Sequence, residues 1–181
     1  MSFARVRALV VVGVLAVAAV VFVVVALVRD TQRDLVNGGD CPADAPLADV
    51  RLPDDPAEVK VKVLNGTNRA GLAEQVTDEF KNRRFTVEQA GKSKTKFNGV
   101  AEIRFGPEAV GKAQLLRAYF LAQSEMVYNP KRKGATVEIV IGKEFQQLAT
   151  TTEVNQSLVE IGNPDLPPGA CVKPVAEAKV G

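Results

Sequence analysis

At 181 residues the chain has room for one membrane anchor and one modest globular domain, since independent domains run to about 100–150 residues. It contains no histidine, which removes the Ser-His-Asp triad, the Cys-His pair and the usual zinc ligand sets; no enzyme, metal site or cofactor is expected. The formal net charge of +2 conceals a separation, because residues 29–56 count to net −4, residues 57–148 to net +6 and residues 149–181 to net −2.

From Ala8 to Val28 there is no charged or amide side chain, and the run is almost wholly Val, Ala and Leu. A helix rising about 1.5 Å per residue needs roughly 20 apolar residues to cross the hydrocarbon, so the run predicts a transmembrane helix at 8–28 behind a short cytoplasmic start at 1–7. A cleaved signal peptide is the rival, but Ala16, Ala18 and Ala19 lie in mid-run instead of forming a cleavage site at its end. Arg5 and Arg7 face Arg29 and Arg33 across the run, and the free amino group tips the cationic count towards an inside N-terminus. The expectation is a single-pass plasma-membrane protein with everything after the anchor extracytoplasmic.

Residues 29–56, with the Asn37-Gly38-Gly39 turn and several prolines, show no sustained period and predict an irregular acidic stalk. Cys41 and Cys171, the two cysteines of the chain, bracket everything that reads as folded. A pair of this kind outside the membrane suits a disulfide in an oxidising compartment; two free thiols in a cytoplasmic tail are the alternative.

The folded segment is placed at 57–148. Val59, Val61 and Val63 alternate with Lys60 and Lys62 as a first strand that stops at Asn65-Gly66. Leu72, Val76 and Phe80 recur at helical spacing, with Thr67 or Asn68 as the expected N-cap. Strands follow near Thr86 to Gln89 and Ala101 to Phe105, and Pro107 fits the first turn of a second helix that carries Val110, Ala113, Leu116 and Phe120 and ends near Gln123. Glu125 to Tyr128 and Thr136 to Ile141 complete the pattern, and the tail 149–181 reads as a wrapped or loose arm. The order implies an α+β fold, a mixed sheet of about four to five strands with two helices on one face.

Residues Gly66 to Gly71 follow a strand and open a helix, the context of a phosphate-binding loop, but Leu72-Ala73 stand where a P-loop needs Lys and Ser or Thr. The structural roles suffice: Asn65-Gly66 turns the chain and Gly71 lets the helix approach the sheet. Two basic clusters, Lys92, Lys94 and Lys96, and Lys131, Arg132 and Lys133, are either solubilising loops or a site for a polyanion such as a wall glycopolymer or an anionic lipid. Both follow strands and are expected to approach each other. Nucleic acid is not an expected partner outside the cytoplasm.

The run Val61-Lys62-Val63-Leu64-Asn65-Gly66-Thr67-Asn68-Arg69-Ala70-Gly71-Leu72-Ala73 resembles the opening of the LytR C-terminal domain family: an alternating strand, Asn-Gly-Thr, three variable residues, then Gly-Leu-Ala. Phe85, the Ile103 to Gly106 strand end and the closing Val137 to Gly142 strand agree, and the likeness covers roughly Val59 to Lys143. In that family the domain is often joined to phosphotransferases that attach glycopolymers to peptidoglycan, and this chain offers no length for such a partner domain. The resemblance to stand-alone, membrane-anchored members implies a non-enzymatic role in cell envelope integrity, through wall polymer or an envelope partner protein. A lipid or glycolipid carrier with an apolar cavity is the competing reading.

Overall fold

A computed structural model describes residues 12–13, 15–21 and 41–173 of the chain. The chain divides into two compact units, Met1–Pro42 and Ala43–Gly181. In the first, residues 12–13 and 15–21 are helical, with Val12, Leu15, Val17, Val20 and Val21 exposed. No helix among the described residues is long and apolar enough to cross a membrane, and most of the span expected at 8–28 lies outside those residues, as do 29–40 of the expected stalk.

The second unit is a one-sided α+β domain. Its strands are β1 (Leu47–Ala48), β2 (Lys60–Asn65), β3 (Thr86–Val87), β4 (Gly91–Lys92), β5 (Ala101–Phe105), β6 (Ser124–Tyr128), β7 (Thr136–Ile141) and β8 (Cys171–Val172). Its helices are α1 (Leu72–Asn82), α2 (Val110–Tyr119) and α3 (Thr151–Ile161), with 3-10 turns at Pro56–Glu58 and Pro107–Ala109. Six strands form a mixed sheet in the order β3-β2-β7-β5-β6, with β4 also beside β2. The β2/β7 pair is parallel and β7/β5 antiparallel, so the end of β2 and the end of β7 lie at one edge, beside the start of β5.

Strand period two decides which side is covered. Val59, Val61, Val63, Ala101, Ile103, Val137, Ile139 and Ile141 are all fully buried on one face, together with Leu72, Val76 and Phe80 of α1 and Ala113 and Leu116 of α2. At about 25 cal/mol per Å² of apolar surface, burial of this set is the main force holding helices to sheet. An aromatic cluster closes one end: Phe80 meets Phe85 at 5.1 Å between centroids, Phe85 meets Tyr119 at 5.2 Å and Phe120 meets Phe145 at 6.0 Å.

The described parts of the segments read as stalk and tail, residues 41–56 and 149–173, are more ordered than expected. Ala48 is fully buried, the Asp49 amide donates to the Pro107 carbonyl at 2.8 Å and the Gly111 amide donates to the Asp49 carbonyl at 3.0 Å. The β1 strand pairs in parallel with β8, and both cysteines are disulfide-bonded, Cys41 with Cys171 since the chain has no others. The unexpected α3 starts at a capping box: the Glu153 amide donates to Thr150 Oγ1 at 3.4 Å and the Thr150 amide to Glu153 Oε2 at 2.7 Å. Buried Gln114 holds the other end, its Nε2 donating to the Gly162 carbonyl at 3.1 Å.

Two boundaries move for local reasons. α2 stops at Tyr119 instead of near Gln123 because Leu121 and Ala122 adopt φ values of 51° and 60°, which end a right-handed helix. The strand expected at Thr86 to Gln89 is shortened to β3, and β4 forms just beyond it; the two pair with opposite ends of β2.

Candidate functional site: the Asn65 to Gly71 loop and its lysine edge

The loop after β2 is held by its own side chains. Asn65 Oδ1 accepts from the Thr67 amide and from Thr67 Oγ1, both at 2.9 Å, and Asn65 Nδ2 donates to the Arg69 carbonyl at 2.6 Å. Thr67 Oγ1 in turn accepts from the Arg69 amide at 3.0 Å. These Asx and Ser/Thr turns replace helix or sheet bonds that the backbone lacks here. Neither Thr67 nor Asn68 caps α1, as the sequence suggested; the N-cap is Gly71, which has no side chain to offer.

The two glycines work differently from expectation. A Cβ on Gly66 would stand 2.7 Å from Val140 Cγ1 and 2.8 Å from the Ile141 carbonyl oxygen, so Gly66 is the residue of close approach. Gly71 has open space around its Cα and is needed for its φ of +73°; it does not bring the helix to the sheet. Leu72 follows as a core residue, 2 % exposed.

β4 and the loop beyond it lie against this motif. Asn65 is in register with Lys92, the Ser93 amide donates to the Asn65 carbonyl at 3.0 Å, and the Phe97 amide donates to the Gly66 carbonyl at 2.9 Å. Lys94 and Lys96 therefore sit on a short arc tied at both ends to the Asn-Gly pair. A cleft of about 360 Å³ opens here, lined by Asn65, Asn68, Arg69, Glu74 and Lys92 among others. Lys92, Lys94 and Lys96 are exposed and make no ion pair among the described residues.

Lys131, Arg132 and Lys133 are not part of this cluster. They precede β7, and the Asn129 amide at their turn donates to the Phe105 carbonyl, so they occupy the opposite end of the sheet, about 17 Å of strand away. The approach expected of the two clusters fails because β7 runs from one to the other. Arg132 is also neutralised, donating from Nη1 to Glu138 Oε2 at 2.8 Å.

The uncovered face of the sheet carries charge that cancels within itself. Lys60 Nζ lies 3.0 Å from Glu88 Oε1, and Arg104 pairs with Glu102. The hydrogen bond and charge of Lys60 hold the Glu88 carboxyl below its usual range. No group of three or more His, Cys, Asp or Glu residues that could hold a metal occurs among the described residues.

A small one-sided α+β domain with a self-tied Asn-Gly-Thr loop ahead of its first helix is the class of module that the fold and this loop define. Residues 58–145 match the family described as LytR cell envelope-related transcriptional attenuator, and the chain carries a LytR C-terminal domain. A solved structure is similar: the soluble domain, residues 71–217, of a conserved hypothetical secreted protein from Mycobacterium marinum, at 25 % identity and a TM-score of 0.50. The match covers 67 % of this chain and 83 % of that one. No curated protein matches.

Proposed function

We propose that this protein is a non-catalytic module of the cell envelope, anchored through its apolar N-terminal run with the LytR C-terminal domain outside the membrane, and that it binds an anionic wall glycopolymer. The observation that carries the reading is the row of unpaired Lys92, Lys94 and Lys96 tied to the rim of the Asn65 to Gly71 cleft. Exposed cations without carboxylate partners attract a polyanion over about 10 Å, whereas the paired cations of the open sheet face do not. The secreted mycobacterial neighbour and the disulfide both fit an extracytoplasmic domain. The resemblance to stand-alone family members supports a part in envelope integrity.

The lipid-carrier reading draws less support. The helix–sheet interface is filled by side chains, and the cavities at the surface measure between about 230 and 360 Å³, near or below the low end for drug-sized ligands.

The test is retention of the purified chain on isolated envelope material at low and high salt. Salt-sensitive retention that falls several-fold in the K92Q/K94Q/K96Q variant, but little in K131Q/K133Q, supports the site. Equal loss in the two variants, or retention indifferent to salt, refutes it.

A further inference from the structure

On the other side of the domain from the lysine edge, the stretch after α3 passes over α2 and the β5/β6 pair before entering β8. Between them lies a cavity of about 230 Å³, lined by Phe105, Val110 and Met126 from below and by Pro164 and Leu166 of the returning stretch. Four polar side chains interrupt this apolar lining: Gln114 and Arg117 of α2, Tyr128 at the end of β6 and Asp165 of the returning stretch. Arg117 Nε and Tyr128 Oη are both buried and have no hydrogen-bond partner in the protein. Arg117 also makes no ion pair among the described residues.

A buried donor without a partner is costly, and two in the lining of one cavity are not explained by packing. Both groups donate: Arg Nε–H has no acceptor capacity, and burial pushes the Tyr128 phenol up, which keeps its proton in place at neutral pH. The geometry points to a binding site for a small carboxylate with an apolar body, such as a short aliphatic or aromatic acid or the acidic end of a larger molecule. The carboxylate accepts from Arg117 and Tyr128 while the body lies against Phe105, Met126 and Leu166. The volume, below that of drug-sized pockets, limits the body to a group of side-chain size. Asp165, exposed on the returning stretch, is the one carboxylate in the lining and opposes an anion.

This site shares no residue with the lysine-edged cleft, so either can fail without the other. The cysteine framework bears on it directly. The wall Pro164–Pro168 ends three residues before Cys171, which is held by the disulfide and by the β1/β8 pairing.

The experiment is fluorine NMR of 4-fluorophenylacetate titrated into the full chain in nanodiscs, with 4-fluorotoluene as the probe lacking the carboxylate. Saturable binding in the millimolar range or tighter is expected for the acid and not for the toluene. Arg117→Met is expected to abolish the binding and Tyr128→Phe to weaken it several-fold. Asp165→Asn, at an exposed position that does not endanger folding, is expected to tighten it two- to five-fold. Absence of saturable binding to the folded wild-type chain overturns the proposal. So does equal binding of the two probes, or weaker binding to the Asp165 variant. Thermal unfolding of Tyr128→Phe provides a second readout. An unpartnered hydroxyl predicts a melting temperature equal to or above wild type without the acid, and a marked loss overturns the premise that the hydroxyl lacks a partner.

Discussion

Arg69 Nη1 donates a hydrogen bond of 3.0 Å to the carbonyl of Phe145, 76 residues further along the chain. It fastens the exit from the last sheet strand to the loop that carries the family motif. Arg83 repeats the device one helix later, its Nη1 donating to the Ala149 carbonyl at 2.5 Å while its guanidinium lies 5.3 Å from the centre of the Tyr119 ring. Two arginines at either end of α1 thus hold the backbone that leads into α3.

Replacing Arg69 by Met should therefore cost about 1.5 kcal/mol, the lower end for a hydrogen bond from a charged donor, since the site is partly exposed. Hydrogen exchange should rise at the amides of 145–149 more than in the sheet. Uniform loss of protection across the domain would show that the bond does not act locally.

The two motif glycines should separate in a substitution experiment. Gly66→Ala places a Cβ against Val140 and the Ile141 carbonyl and should destabilise by about 2–3 kcal/mol. Gly71→Ala meets nothing and should cost only the left-handed backbone penalty of about 1 kcal/mol, with Asn better tolerated than Ala. Chemical denaturation of the three variants checks the order.

Acid should weaken the β3/β2 edge through Glu88. Lys60 holds its folded carboxyl below the usual glutamate range, so the stability it contributes is present above that range and is lost as pH falls through the lower folded value. Solvent screening limits the contribution to under about 1 kcal/mol. Glu88→Gln should flatten the acid limb of the stability curve by that amount, and an unchanged limb would place the acid sensitivity elsewhere.

The Cys41–Cys171 bridge closes a loop around the entire domain. Chain entropy puts its contribution at up to about 5 kcal/mol, with native strain able to lower it. The double Ser variant, or the wild type under reductant, should melt well below the oxidised protein, and β1 and β8 should lose exchange protection first. Equal melting of oxidised and reduced forms would contradict this.

The sequence by itself determined the elements whose apolar period matches their burial. Val59 to Val63, Leu72 to Phe80, Ala101 to Phe105 and Thr136 to Ile141 each announce a strand or helix because one face enters the core and the other is more exposed, apart from buried Val140. The Asn-Gly-Thr loop was legible for the same local reason, since its hydrogen bonds run between residues two to four apart. The α3 helix was also written locally, in Thr150…Glu153 ahead of Val154, but a threonine run in an acidic, proline-bearing tail masks that capping box.

Other features only the tertiary structure decided. β1 and β8 are two residues each and carry no period; they pair where two segments more than a hundred residues apart, each beside a disulfide-bonded cysteine, meet. Which lysines gather is set by strand direction: β2 runs parallel to β7, so the motif shares an end of the sheet with Lys92 to Lys96 and is separated by the length of β7 from Lys131 to Lys133. The meeting of Arg117 and Tyr128 in the lining of one cavity with Pro164 and Leu166 joins residues from three distant segments, and no local pattern encodes it. Periodicity records which side of an element faces the core; it does not record which element lies next to it, because that follows from pairing and packing summed over the whole domain.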